Sequence, residues 1–228
     1  MRDIAQIALA SGGGLSLLGI ALSPVLALPA LTLLAPGLFA GLAKRVIHLC
    51  ESVSEMLINL ALWAVLAMTG VQFIVVMLRY LFGIGTSWLN ESIFYFHASL
   101  FLLSAAAALK VGAHVRIDVF FTKFSASQKA ITELIGVHLA LWPMMILILS
   151  AGNGYLSTTW RVLERSSQSD GLPFVYLFKT LLPIFAVSLI LQGLANSARA
   201  ALALTGATPD AMQVANAQPR DKEGKTLA

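Results

Sequence analysis

Apolar residues fall into runs long enough to cross a bilayer, separated by short polar turns. Four runs stand out, at 56–78, 88–111, 131–159 and 174–198. Each reaches the roughly 20 residues that a spanning helix needs. The second carries Ala98, Ser99, Ser104 and Ala105 through Ala108. Small residues of this kind let helices approach closely in lipid, where apolar burial no longer drives association. A fifth run, 15–42, comes after Gly12-Gly13-Gly14 and contains Pro24, Pro29 and Pro36. It reads as a kinked or half-spanning membrane helix, with a surface segment or a cleaved leader as the alternatives. Between the second and third spans, Phe120, Phe121 and Phe124 share one side of a short amphipathic surface helix, and Ser125 or Ser127 is placed to cap the third span. From Thr205 the chain turns polar and loses apolar periodicity.

The pattern predicts an all-α integral membrane protein: four long transmembrane helices, an N-terminal hydrophobic segment and a short amphipathic surface helix. The chain divides into the hydrophobic segment 1–43, a four-helix membrane domain 44–204 and a disordered cytoplasmic tail 205–228. Composition agrees. Hydrophobic residues make up 58% of the 228, and charged residues 11%, against about 25% in an ordinary soluble domain. The net charge of +4 is no nucleic-acid signal, because the bases sit between apolar runs, where a topology signal belongs. Cys50 is the only cysteine, so no intramolecular disulfide and no cysteine cluster can form.

Four spans distribute the bases unequally. Lys44, Arg45, Lys110, Arg116, Lys123, Lys129, Arg199, Arg220, Lys222 and Lys225 fall on one side; Arg79, Arg161, Arg165 and Lys179 fall on the other. The richer side is expected in the cytoplasm, together with the C-terminus.

The densest gathering of polar groups against apolar sequence runs from Arg79 to Asp118. Arg79 and Glu91 flank a tight turn at adjacent span ends and are expected to pair across it, since paired charges at a membrane edge are cheaper than lone ones. Trp88 reads as an interfacial anchor. His114, Arg116 and Asp118 form a charged exit that suits a structural cluster better than a metal site, which needs more ligands. His97 and His138 lie inside spans; they read as hydrogen-bonded interhelical groups, with axial ligation of a haem as the alternative. Lys179 lies within the outer part of the last span, about one turn from Pro173 and Pro183, where it balances Glu164 or Asp170 or offers a docking charge to an external partner. No catalytic triad, phosphate loop or paired catalytic carboxylate occurs. The charges sit at span ends rather than along one lumen, which argues against a self-sufficient channel or pump.

Several ordered stretches carry a family resemblance: Arg79-Tyr80-Leu-Phe82, Trp88-Leu-Asn-Glu91, Gly112-Ala-His114-Val-Arg116-Ile-Asp118, Glu164 through Pro173, then Lys179 and Pro183. Over residues 50–198 the chain resembles the DctQ-like small membrane subunit of tripartite ATP-independent periplasmic (TRAP) transporters. The first 43 residues depart from that family's basic four-helix pattern. The resemblance implies a multi-pass protein of the bacterial inner membrane and no enzyme. It implies a large permease subunit and a periplasmic substrate-binding protein as partners, with lipid around them. The partner subunit would bind substrate and sodium, so no cofactor is expected here, and organic acids would be the cargo. This chain would be a static scaffold for the moving elevator subunit. One lateral face is expected to meet that subunit, and if it is the small-residue face of the second span, Ala106→Trp weakens co-purification. A haem-bearing or structural membrane anchor of a respiratory complex is the alternative reading.

Overall fold

A computed structural model describes residues 27–113 and 124–206. The described chain consists of helices α1 (Leu28–Leu34), α2 (Pro36–Phe82), α3 (Ser87–Lys110), α4 (Ala126–Val162) and α5 (Val175–Leu204), with no strand among the described residues. Four of them, α2 to α5, are long and apolar enough to cross a membrane, so the chain is an all-α integral membrane protein, as the apolar runs predict. The start of the N-terminal run, the amphipathic surface helix up to Lys123 and the tail beyond Gly206 lie outside the described residues.

Local chemistry explains the boundaries. Ala35 leaves helical geometry (φ −140°, ψ 70°), and Pro36 restarts the chain at the first position of α2, where its missing N–H costs nothing. From there α2 runs on without a break through Lys44 and Arg45. The boundary expected at 43/44 is therefore not marked in the backbone, because those residues have good helix formers on both sides. At the far end Gly83 adopts a left-handed conformation (φ 65°). Its N–H reaches the carbonyl of Arg79, and the N–H of Ile84 reaches Leu78, 3.0 Å away. This closes the spare carbonyls of α2 and turns the chain into α3. Ser125, one of the two expected caps, starts α4. Its hydroxyl accepts from the N–H of Gln128, and the Gln128 side chain accepts from the N–H of Ser125. Within α4, Val137–Leu141 is wound as one π turn, with the Trp142 N–H reaching back to Val137. Pro143 comes directly after, and a widened turn is one way for a helix to absorb a ring that clashes with the preceding carbonyls.

The element around which the other described helices gather is α5. It touches all four other helices, and most of its residues from Ala186 to Leu202 are buried. Its chain of small side chains, including Ala186, Gly193, Ala195, Ala198 and Ala201, explains why it sits centrally. The hairpin α2–α3 lies against it on one side. On another, α4 approaches so closely at Gly193 that an added Cβ would stand 2.7 Å from Leu141 Cδ2 and 3.2 Å from Trp142 Nε1. One core joins Ala43, Ile47 and Cys50 of α2 to Trp142 of α4 and Leu194, Ala198 and Leu202 of α5. The small-residue face of α3 also turns inward. Ala106 is fully buried, and Ala105 packs with Met145, Ala186 and Leu189. The condition that Ala106 faces a partner is not met: its side chain is already buried within the bundle.

Candidate functional site

Polar residues gather at two levels of the bundle. One is the turn rim, where 83–86 and 163–174 connect the helices. The other is the opposite rim, near Lys110 and Arg199.

At the turn rim, Glu91 projects from the second turn of α3. One carboxylate oxygen accepts from the Ser166 hydroxyl, and the other accepts from the N–H of Leu172 at 2.7 Å. Asp170 accepts from the N–H of Ser87 at 2.8 Å, at the very start of α3. Asp170 thus takes a spare donor at the N-terminus of α3, where the dipole favours a negative charge, whereas Glu91 takes both of its donors from the loop. The loop after α4 is thereby fastened over the start of α3. Gly171 makes the fastening possible, because a Cβ there would run into Ser166 and the Glu91 carboxylate. The expected pairing of Arg79 with Glu91 does not occur. Both oxygens of Glu91 are taken by the loop, and Arg79 is exposed at the end of α2. A sequence separation of twelve residues was a poor guide, since the competing donors come from a loop about eighty residues away.

Lys179 and Glu164 do pair, at 2.5 Å, as the balancing reading of that lysine expects. Thr159 donates to the same Glu164 oxygen at 2.8 Å, and the lysine also reaches the Thr159 hydroxyl at 3.2 Å. The ammonium stands 4.0 Å above the ring of Tyr155. Hydrogen bonds from Lys179 and then Thr159 hold the Glu164 carboxyl below the usual carboxylate range. The Ser87 N–H does the same for Asp170. Trp160 donates to Thr180 at 3.0 Å, tying α4 to α5 just beneath. Trp88 is exposed at the start of α3, as an interfacial anchor would be.

The opposite rim holds a network that sequence reasoning missed. Glu51 of α2 forms an ion pair with Arg199 of α5 and lies 3.5 Å from Lys110 of α3; Glu55 is 2.7 Å from the same lysine. Arg199 reaches Asn196 at 3.4 Å. Asn196 donates to Glu133 of α4 at 2.9 Å and accepts from Gln192 at 3.0 Å. Gln192 in turn accepts from the Ser54 hydroxyl at 2.7 Å. Four helices meet in one hydrogen-bonded chain. Gln192, Asn196 and Arg199 recur at i, i+4 and i+7 along the mostly apolar second half of α5. That spacing was the available signal, because a polar stripe inside a span needs partners.

The two span histidines are differently placed. His97 is exposed on α3. His138 lies in the π turn, its Nδ1 bonded to the Leu134 carbonyl at 2.8 Å and its ring tilted against that of Trp142, the centroids 4.5 Å apart. His114, Arg116 and Asp118 lie outside the described residues. Among the described residues, no group of three or more His, Cys, Asp or Glu is placed to hold a metal ion. Chemically, each charged cluster is neutralised by its own neighbours. Acids meet bases or backbone donors, and the arrangement suits fastening helices together.

Compared with known proteins, residues 68–203 match the family described as tripartite ATP-independent periplasmic transporters, DctQ component. The match starts in the second half of α2 and ends one residue before α5 does. No curated protein and no solved structure matches the chain.

Proposed function

From the premise that this chain belongs to the DctQ component family of tripartite ATP-independent periplasmic transporters, we propose that it is the static small subunit against which a larger permease moves. The family makes it a component of a membrane transporter. The scaffold role goes further and rests on one observation: the charged side chains gathered at the two rims are tied to one another and to backbone donors across the helices. Glu51, Lys110, Glu133, Gln192, Asn196 and Arg199 are tied across four helices, and Glu91, Asp170 and Glu164 are tied at the turn rim. A substrate path requires polar groups that exchange partners with cargo; a scaffold requires groups that do not.

In this reading the turn rim faces the periplasm and the opposite rim the cytoplasm, following the distribution of Lys and Arg. A soluble binding protein brings an organic acid to the complex, and the larger permease carries substrate and sodium, as the family resemblance implies. The chain itself binds no cofactor and performs no chemical step.

Reconstitution tests this. Liposomes holding this chain, the large permease and the binding protein should take up substrate down a sodium gradient, and omission of any one should abolish uptake. Uptake by this chain alone, or undiminished uptake without it, would refute the scaffold role.

A further inference from the structure

The residues of α4 that meet α5 do not keep one regular helical face. In the C-terminal half of α4, Trp142 donates to the Ile190 carbonyl, and Met145 and Leu149 pack with Ala186 and Leu189. A Cβ on Gly152 would touch Leu182, and Thr159 meets Lys179. A regular helix turns each residue by about 100°, so Trp142, Leu149, Gly152 and Thr159 all fall within about 60° of Met145. In the N-terminal half, Val137 stands against Gly193, Glu133 accepts from Asn196 at 2.9 Å, and Ala130 is buried with Ala200. Carried back regularly from Met145, the helix would set these three about 60–120° away from that face. Ile131, Leu134 and His138 would lie within about 40° of it instead. Yet Ile131 is 47% exposed, whereas Ala130 is fully buried.

The π turn removes the discrepancy. Over Val137–Leu141 the Trp142 N–H reaches back five residues to the Val137 carbonyl. Such a turn holds one residue more than a regular one and swings everything before it by about 100°. Val137, Glu133 and Ala130 thereby return to the face of Met145, Gly152 and Thr159. Side chains tie α4 to α5 on both sides of the turn, Trp160 to Thr180 at 3.0 Å and Asn196 to Glu133. A regular helix between those two ties would satisfy only one of them. Glu133 is also where α4 joins the polar chain, since Ser54 of α2 donates to Gln192, Gln192 to Asn196 and Asn196 to Glu133.

We propose that the π turn is the device that sets the face of the N-terminal half of α4. Its extra residue admits Ala130 and Glu133 to α5 and so joins α4 to the polar chain of α2 and α5. The sequence holds a second face, that of Ile131, Leu134 and His138, which a regular helix would present in its place. This setting belongs to the fold of the chain itself and is independent of what the subunit does in transport.

Disulfide mapping in the full chain, with Cys50 replaced by alanine, tests the proposal. The pair Ala130→Cys/Ala200→Cys should close about ten-fold faster than Ile131→Cys/Ala200→Cys, since a disulfide demands Cβ atoms ~3.8 Å apart. Removing Leu139, an exposed residue of the π turn, should restore a regular helix and reverse that order. A full chain without the preference for Ala130, or a folded shortened chain that fails to reverse it, would overturn the proposal. Where the shortened chain does not fold, the exchange Glu133→Leu/Leu134→Glu made in it should restore folding, because a regular helix brings position 134 to Asn196. The Ile131 pair should then be the one that closes. In the full chain the same exchange should lower the melting temperature, because it takes the carboxylate away from Asn196. Failure of the exchange to rescue the shortened chain, or an unchanged melting temperature in the full one, would equally overturn the proposal.

Discussion

Glu91 shows how one side chain decides a local structure. Its carboxylate replaces water for Ser166 and for the N–H of Leu172, so its removal leaves a backbone donor without a partner. Glu91→Ala should cost about 1–3 kcal/mol of stability, the usual penalty for stranding such a group. Arg79→Ala should change stability by less than ~0.5 kcal/mol, as exposed sites without such a role do. The double variant should then equal the sum of the two, within the ~0.5 kcal/mol typical of independent sites. Thermal unfolding of the purified chain in detergent provides the check, and a coupling well above that margin would restore the Arg79–Glu91 pair. The same rim has a pH signature. Glu164 is depressed by hydrogen bonds from Lys179 and Thr159, and Asp170 by the Ser87 N–H. A carboxyl depressed in the folded state contributes stability above its unfolded pKa of about 4 and loses that contribution as pH falls through the lower folded value. The fastening of the 163–174 loop should hold throughout the neutral range and down to about pH 4, loosening only below it. Hydrogen exchange at the Ser87 amide reads this directly, and loss of protection near neutral pH would contradict it.

Among the helices, α5 and the π turn of α4 form the tightest joint. Gly193 admits Leu141 and Trp142 to within van der Waals contact of its backbone, and the Trp142 indole donates to the Ile190 carbonyl at 3.3 Å. The absent side chain is what lets the two helices touch there. Gly193→Val should destabilise by about 1–3 kcal/mol or more, the cost of forcing extra atoms into a packed core. Gly70→Val offers the comparison. It lies on the exposed side of α2 with nothing within 4 Å of an added Cβ, so its cost should be limited to helix propensity, a few tenths of a kcal/mol in either direction. Chemical unfolding of both variants distinguishes them, and equal costs would show that the close approach has no energetic weight.

At the scale of the molecule, the polar chain from Ser54 through Gln192, Asn196 and Glu133 to Arg199, Glu51 and Lys110 joins four helices at one rim. Breaking such a network strands charges in a low-dielectric setting, which is why it resists rearrangement. Rigidity is what a scaffold needs, and the turn rim supplies the same property at the other end. Orientation completes the picture. With Cys50 replaced by alanine, Ser167→Cys should react with an impermeant thiol reagent in cells whose outer membrane has been made permeable, and Ser125→Cys should not. The reverse pattern would invert the topology drawn from the lysine and arginine distribution.

How much could be read before folding differs by kind of information. The four spans were legible because crossing hydrocarbon demands long apolar runs, and that demand is local. Gly83 and Ser125 announced a turn and a cap for the same reason: a left-handed residue and a helix N-terminus are satisfied within a few residues. The Lys179–Glu164 pair was within reach, because a short loop brings the ends of α4 and α5 together. The partner of Glu91 was not, nor was the clamp from Glu51 to Arg199, because each joins residues that only packing brings together. The centrality of α5 and the inward turn of Ala106 were hidden as well. In a membrane chain every span is apolar all round, so hydrophobicity no longer says which face is buried. That the chain crosses the membrane, at which residues, and in which family it belongs were all written in the order of its amino acids. Which helix lies at the centre and which charges neutralise one another depended on packing, because each joins positions far apart in the chain.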